Sequence, residues 1–345
     1  MATIVKQNVG IDQSKNNFKA AFAQLDSEQH YKIKSSKRFD NNKSGFKRLL
    51  EWADKLGLEG VQLCFTVEAT GVYYEDLAHF LHEQGRQLSV LLPNTVKAYA
   101  LSLNVKTKTD DVDAEVLARM GLERALPAWQ PSSPAMRQLK KLSRERAMLQ
   151  QERTAVANRL HAEEHSHRPE KAILQRCRKR MELLSKQIKA IEKQIRDSVA
   201  KDPVLKEKVK KACSIKGVGI VTAVAVIAET GGFALFRNKA QLVSYAGYDV
   251  VERQSGTSIL GKTKISKKGN SFIRAALHFP ALTAVRHDPN MKALYDRVFD
   301  RTRIKMKGAV AVQRKLLVLI YTLVKKDEMY DPTFQAKQSL EAALA

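Results

Sequence analysis

The chain has 345 residues, 44% of them hydrophobic, and carries 60 Lys and Arg against 36 Asp and Glu, a formal charge of +24 at pH 7. That length exceeds one small core and fits two or three domains. A charge of this size favours a polyanionic partner, nucleic acid first, because neutralising phosphates releases condensed counterions. The excess is one-sided: 17 basic residues face 16 acidic ones up to residue 125, and 43 face 20 beyond it. No uninterrupted apolar run reaches spanning length, and the N-terminus lacks the basic-then-apolar layout of a signal peptide, so the expectation is a cytoplasmic protein with no membrane partner. Cys64, Cys177 and Cys213 are odd in number and lack CxxC spacing, which disfavours disulfides and thiolate zinc sites.

The first region runs to about residue 130. "VKQNVGID" reads as an apolar strand ending in Asp12, and "NFKAAFAQLD" and "HYKIKSSKRF" follow as two more strands on short connections, an antiparallel meander. "NKSGFKRLLEWADKLG" has helical periodicity and a Gly stop, "VQLCFTVEAT" is a buried strand leading to Glu68, "YEDLAHFLHEQG" is a second helix, and "QLSVLL" closes as a strand before Pro93. This describes a mixed sheet covered by helices, an α/β domain.

Residues 131–205 form a second region, which from about 134 to 200 has almost no helix breakers except Pro169. Leu174, Met181, Ile188 and Ile195 recur every seven residues with Cys177, Leu184 and Ile191 between them, a coiled-coil seam. The preceding half carries Arg146 and Arg153 at seam positions, and "HSHRPEK" is the expected turn of an antiparallel helical hairpin that could equally pair with another chain. "HAEEH" at 161–165 satisfies a zinc-protease pattern, but in this charged stretch it reads as a solvated helix face. Residues 206–345 form the third, mainly helical region. There "IKGVGIVTA" opens an apolar helix with a glycine turn, either an anion-binding terminus or a tight packing turn. A polar segment, "VVERQSGTSILGKTKISKKGN", precedes further helices, and "FQAKQSLEAALA" reads as a peripheral helix or a frayed tail.

Asp110, Asp111 and Asp113 cluster in "KTDDVDAEVLA", at the start of a helix. Negative charge suits a helix N-terminus, and Asp110 and Asp113, three apart, also share a face. Asp12 and Glu68 end neighbouring strands, and in an open sheet strand ends and a nearby helix start form the usual ligand crevice. Each acid alone is more simply a turn or strand-end residue. Four together repel one another and become tolerable when a divalent cation neutralises them. Mg2+, hard and oxygen-seeking, is expected, with Mn2+ as the alternative, and two such ions would stabilise attacking and leaving oxygens of a phosphodiester.

"VGIDQSK", "VEATGVY" and "KTDDVDAEVLA", with "IKGVGIVTA", "QLVSYAGYDVVERQSG", "KKGNSFIRAAL" and "RKLL", resemble the DEDD transposases of the insertion-sequence one-ten family, relatives of the Piv DNA invertases. The resemblance runs from near residue 8 to about 325. It implies a RuvC-like, ribonuclease H fold at 1–130, a coiled-coil insert at 131–205, and a transposase domain at 206–345. It assigns the catalytic, metal-binding tetrad to Asp12, Glu68, Asp110 and Asp113, and a serine nucleophile to Ser255, with Ser258 second. Many relatives carry Arg after the first aspartate of the "KTD" motif, where this chain has Asp111. The resemblance further implies donor and target DNA, a structured bridge RNA as guide, a homo-oligomer, expected as a tetramer with an active site shared between chains, and a bacterial, nucleoid-associated setting.

Arg253, Lys262, Lys264, Lys267, Lys268 and Arg274 around the serine, and Arg301, Arg303, Lys305 and Lys307 further on, are the expected nucleic-acid contacts. A serine hydroxyl is a weak nucleophile without an activating base or metal, and no His lies near Ser255 in sequence. Two functions therefore compete: a recombinase using Ser255, and a metal-dependent nuclease or Holliday-junction resolvase using water. A sugar-kinase-like phosphotransferase would need a second glycine-rich phosphate hairpin, which the sequence lacks.

Overall fold

The computed structural model describes residues 2–234, 236–252, 254–255, 259–260 and 263–334, with the backbone alone at 254–255 and 259–260. The chain divides into two units, Met1–Pro131 and Ser132–Ala345. The segment expected as a peripheral helix or a frayed tail, 334–345, lies outside the described residues except for Phe334.

The first unit is built on β1 (Ile4–Gln13), β2 (Asn17–Asp26) and β3 (Tyr31–Asp40), then α1 (Lys43–Leu56), β4 (Leu63–Glu68), α2 (Glu75–Glu83), β5 (Gln87–Leu91), α3 (Pro93–Ser102) and α4 (Asp110–Glu123). The sheet order is β3-β2-β1-β4-β5. β1 to β3 form the antiparallel meander, and β4 and β5 add in parallel, a mixed α/β sheet. α3 was not expected. Its sequence cue is Pro93 at the first helical position, where the missing N–H costs nothing.

Strand parity divides the core. Val9, Ile11, Phe18, Phe22, Phe65 and Val67 pack with Phe46, Leu49, Leu77 and Leu81 of α1 and α2. The alternate positions face α4, since neighbouring side chains on a strand point to opposite sides. Asn8 Nδ2 donates to Ala118 O (2.9 Å), Lys6 Nζ donates to Leu122 O (3.0 Å), and Thr66 Oγ1 donates to Asn8 Oδ1 (3.1 Å). Between them Gly10 lies directly under the backbone at Ala114 and Ala118, where a Cβ would overlap main-chain atoms. As β1 is read backwards from Asp12, α4 is therefore read forwards from its first turn.

The second unit begins with α5 (Pro134–Glu164) and α6 (Lys171–Lys201), joined by a short connection. They pair antiparallel: Arg146 Nε donates to Glu192 Oε1 (2.8 Å) and Arg153 Nε to Ser185 Oγ (3.0 Å), so one partner's number falls as the other rises. Both seam arginines are thus matched by a polar group across the hairpin, beside Val156, Cys177 and Leu184. α7 (Pro203–Cys213), α8 (Ile220–Glu229), α9 (Lys239–Tyr245), α10 (Ser271–His287), α11 (Pro289–Thr302) and α12 (Lys305–Lys326) share one large core. Between α9 and α10 lie two short antiparallel pairs, β6 (Val250–Val251) with β9 (Lys264–Ile265) and β7 (Gln254–Ser255) with β8 (Ile259–Leu260). Gly217, at φ +91°, turns the chain against α10, where a Cβ would sit 2.7 Å from Pro280 O. The "IKGVGIVTA" glycine therefore serves close packing.

The feet of the β6 to β9 excursion are joined by a buried carboxylate. Glu229, its side chain 1% exposed, accepts from Arg144 Nε (2.6 Å) and Nη2 (2.9 Å) and from Asn270 Nδ2 (2.6 Å), while Tyr245 OH donates to its carbonyl (3.0 Å). Burial alone would raise its pKa. The Arg144 and Asn270 hydrogen bonds and the Arg144 charge outweigh burial and hold Glu229 below the ordinary carboxylate value.

The Gly10 contact gives a direct test. Gly10→Ala should force α4 off the sheet and cost about 2 kcal/mol in urea denaturation, the usual scale of overpacking. An unchanged midpoint would show that α4 does not depend on that approach.

Candidate active site

The packing of α4 on β1 brings together three elements that each carry an acid. Asp12 and Glu68 share parity with Asn8 and Thr66, so both lie on the α4 side of the sheet, and the parallel register that pairs Ile11 with Val67 makes them neighbours. Asp110 and Asp113 occupy the first turn of α4. The cap of that helix is Thr109, whose hydroxyl accepts from Val112 N (3.3 Å), so capping does not engage the aspartates.

Their charges are coupled. Asp12 is pushed up to about 6 by burial first, then by Asp113, Asp110 and Glu68. Glu68 is raised by burial, an effect that Asp113 reinforces and that the Thr70 hydroxyl, donating at 3.2 Å, and Lys108 oppose. Asp113 is also raised by burial, with Lys108 pulling down and Asp110 pushing up. Lys108 and Thr70, both inside the acidic motifs, belong to the site and were not singled out from sequence. Arg38, on β3, approaches Asp110 at 3.6 Å, and nothing local in the sequence announces it. Asp111, which stands where many relatives carry Arg, pairs with Lys19 at 2.5 Å, so this chain neutralises its extra aspartate from β2.

All four proposed ligands are carboxylates, the donor type a hard divalent cation takes, and their uncompensated charge is what such an ion would offset. Asp113, Asp110 and Glu68 all stand near enough to Asp12 to raise its proton affinity. Among the described residues, however, no three His, Cys, Asp or Glu side chains are close enough together to hold a metal ion. In chemistry and charge the set fits a cation; in spacing it is open.

Ser255 lies on β7, its backbone opposite Ile259, while its side chain and all of Ser258, Arg253 and Lys262 lie outside the described residues. Lys264, Lys267, Arg301 and Lys307 surround a cleft of about 860 Å³ in the second unit, together with Arg314 and Lys315, which sequence reading missed. Lys268 and Lys305 are exposed outside its lining. Two expected contacts have structural partners: Arg274 donates to Ala246 O (2.7 Å), and Arg303 pairs with Asp300 (3.4 Å).

In ion-free protein, ionised Asp12 costs stability. Its folded pKa of about 6 exceeds the ordinary 3.8, so the cost is absent below pH 3.8 and complete once pH has passed 6. Asp12→Asn should therefore raise the melting temperature in EDTA at pH 8, with a smaller gain at pH 5. A gain independent of pH would contradict the coupling.

Two family models match the chain: a DEDD transposase model of the IS110 group over residues 9–163, and one described as "Transposase IS116/IS110/IS902 family" over residues 209–296. The pilin gene-inverting protein of Moraxella bovis is 29% identical over 327 residues, covering 94% of this chain and 98% of that protein. The transposase for insertion sequence element IS1111A of Coxiella burnetii is 31% identical over 129 residues, 36% of this chain and 35% of that one. Among solved structures, Thermus thermophilus RuvC in complex with a Holliday junction substrate aligns to 36% of this chain and 99% of its own, at 10% identity and a TM-score of 0.27, too slight a likeness to argue from. The acid-bearing strands and helix fall inside the first matched stretch and the feet of the serine-bearing excursion inside the second, and with a relative matched along nearly its whole length, the chain belongs to the IS110 family of transposases.

Proposed function

We propose that the protein is a DNA recombinase that moves its own element, with Ser255 as nucleophile and Asp12, Glu68, Asp110 and Asp113 as ligands of Mg2+ or Mn2+. One observation carries this reading: four carboxylates from β1, β4 and α4 lie within electrostatic reach of each other on one face of the sheet, and Asp12 is raised to about 6 by burial and the other three.

The Ser255 hydroxyl oxygen attacks the scissile phosphorus, the bond from phosphorus to the 3' oxygen breaks, and the 5' phosphate stays on the serine. The proton leaving the serine and the proton taken up by the 3' oxygen balance the step. Attack by a 3' hydroxyl of the other duplex reverses it, joins the new strands and frees the serine. A bound divalent ion supplies charge stabilisation at the phosphoryl oxygens. Thr70 fixes the Glu68 carboxylate, and Lys108 offsets part of the cluster's charge.

The same reading includes a structured bridge RNA whose base pairing selects donor and target, while the protein holds backbones. Its support is the family and the basic surplus beyond residue 125. A tetramer in the bacterial cytoplasm, beside the nucleoid, completes the proposal. Among the described residues no helix is long and apolar enough to cross a membrane.

A second reading, a metal-dependent nuclease or junction resolvase using water, is favoured by one fact: the acidic cluster lies wholly in the first unit and needs no serine to act on a phosphodiester. A nicked suicide substrate separates the two. The recombinase leaves protein covalently on the 5' phosphate; Ser255→Ala abolishes that adduct with DNA binding retained, and Asp113→Asn slows adduct formation by about 10²-fold or more. A wild-type protein that cuts without an adduct, or an adduct that survives Ser255→Ala, overturns the serine.

A further inference from the structure

The cleft of the second unit has an apolar floor and a cationic rim. Val298, Met306, Val310 and Val318 contribute to the floor. The six lysines and arginines named above stand around it, and among the described residues none of them has an acidic partner; Glu252 is the single acid in the lining. Met306 leaves 56% of its surface exposed at the first turn of α12. Unpaired cations at one cleft focus a positive potential on it, and its volume matches that of ordinary small-ligand clefts.

These features point to different parts of one ligand. Phosphates satisfy the rim and leave the floor uncovered. Duplex DNA presents phosphates and grooves, with its base faces stacked away. An unpaired nucleotide presents both a phosphate for the rim and a free base face that can lie against the aliphatic floor. Glu252 and Thr263, which lie just before and just after the segment carrying Ser255, both line the cleft.

We propose that this cleft holds an unpaired stretch of DNA, a base against the Val298, Met306 and Val310 floor and its flanking phosphates on the rim. The proposal rests on the reading of the protein as a DNA recombinase, and adds that the second unit holds part of its DNA unpaired. The test uses the full-length protein and fluorescence anisotropy with labelled oligothymidine and with a duplex of equal length. Met306→Glu, at an exposed position, should weaken oligothymidine binding about tenfold and change duplex binding much less. Arg301→Ala with Arg314→Ala should weaken both and lower the salt dependence of oligothymidine binding by roughly 1.4 in log–log slope. With wild-type protein, photocrosslinking of iodouracil-substituted single strands should label cleft residues. Oligothymidine binding unchanged in Met306→Glu, with no crosslink in the cleft, overturns the proposal. Oligouridine displacing oligothymidine from the cleft at lower concentration makes the site one for RNA and overturns the DNA assignment. Wild-type protein that binds neither DNA form removes the recombinase reading itself, an outcome distinct from loss of the cleft alone.

Discussion

The close approach of α4 to β1 over Gly10 is the contact on which the first unit depends. It fixes the direction of the helix against the sheet, and direction decides which end of α4 meets the strand ends. With α4 reversed, Asp110 and Asp113 would lie at the far end of the sheet from Asp12 and Glu68 and would no longer raise them. As folded, Asp110 and Asp113 stand over Asp12 and Glu68, and repulsion is built into the native state. Folded proteins tolerate such arrangements at functional sites and offset them elsewhere. Here the offset is partial, from Lys108, Arg38 and the Thr70 hydroxyl.

The second unit solves a different problem, holding a cationic surface together. Its charges are arranged at two depths. In the core the buried Glu229 carboxylate is matched by Arg144, whose own side chain is partly exposed, and also holds Asn270 while the Glu229 carbonyl holds Tyr245, so both feet of the serine-bearing excursion close on one residue. At the surface the cleft cations lack such partners among the described residues. A buried pair contributes by leaving no charge stranded. Unmatched surface cations mutually repel and are relieved when a polyanion binds. The distinction explains why Arg274, tied to Ala246 O, belongs with the scaffold although its sequence neighbours Lys267 and Lys268 do not.

Much of the first unit was legible because its signals are local. The meander read directly from alternation in "NFKAAFAQLD" and "HYKIKSSKRF", which became β2 and β3 at nearly the expected bounds. The acids read from their place at strand ends and a helix start. What sequence concealed was non-local. Arg38 reaches Asp110 across the sheet, Lys19 neutralises Asp111 through strand pairing, and Arg314 joins the cleft from a helix far along the chain. α3 was lost because "PNTVKAYALS" has weak amphipathic contrast, its buried residues being few. The seam arginines looked like defects in a hydrophobic pattern, and pairing with Glu192 and Ser185 removes the conflict.

The central proposal is that the acids of β1, β4 and α4 together bind a divalent cation. Calorimetric titration of Mn2+ into the protein at pH 6, in two buffers of different ionisation enthalpy, tests it most directly, because Asp12 is about half protonated there and a ligand must lose its proton to bind. The account predicts saturable binding that releases protons, with the release lost in Asp12→Asn. Absence of binding, or proton release unaltered by that substitution, would contradict it.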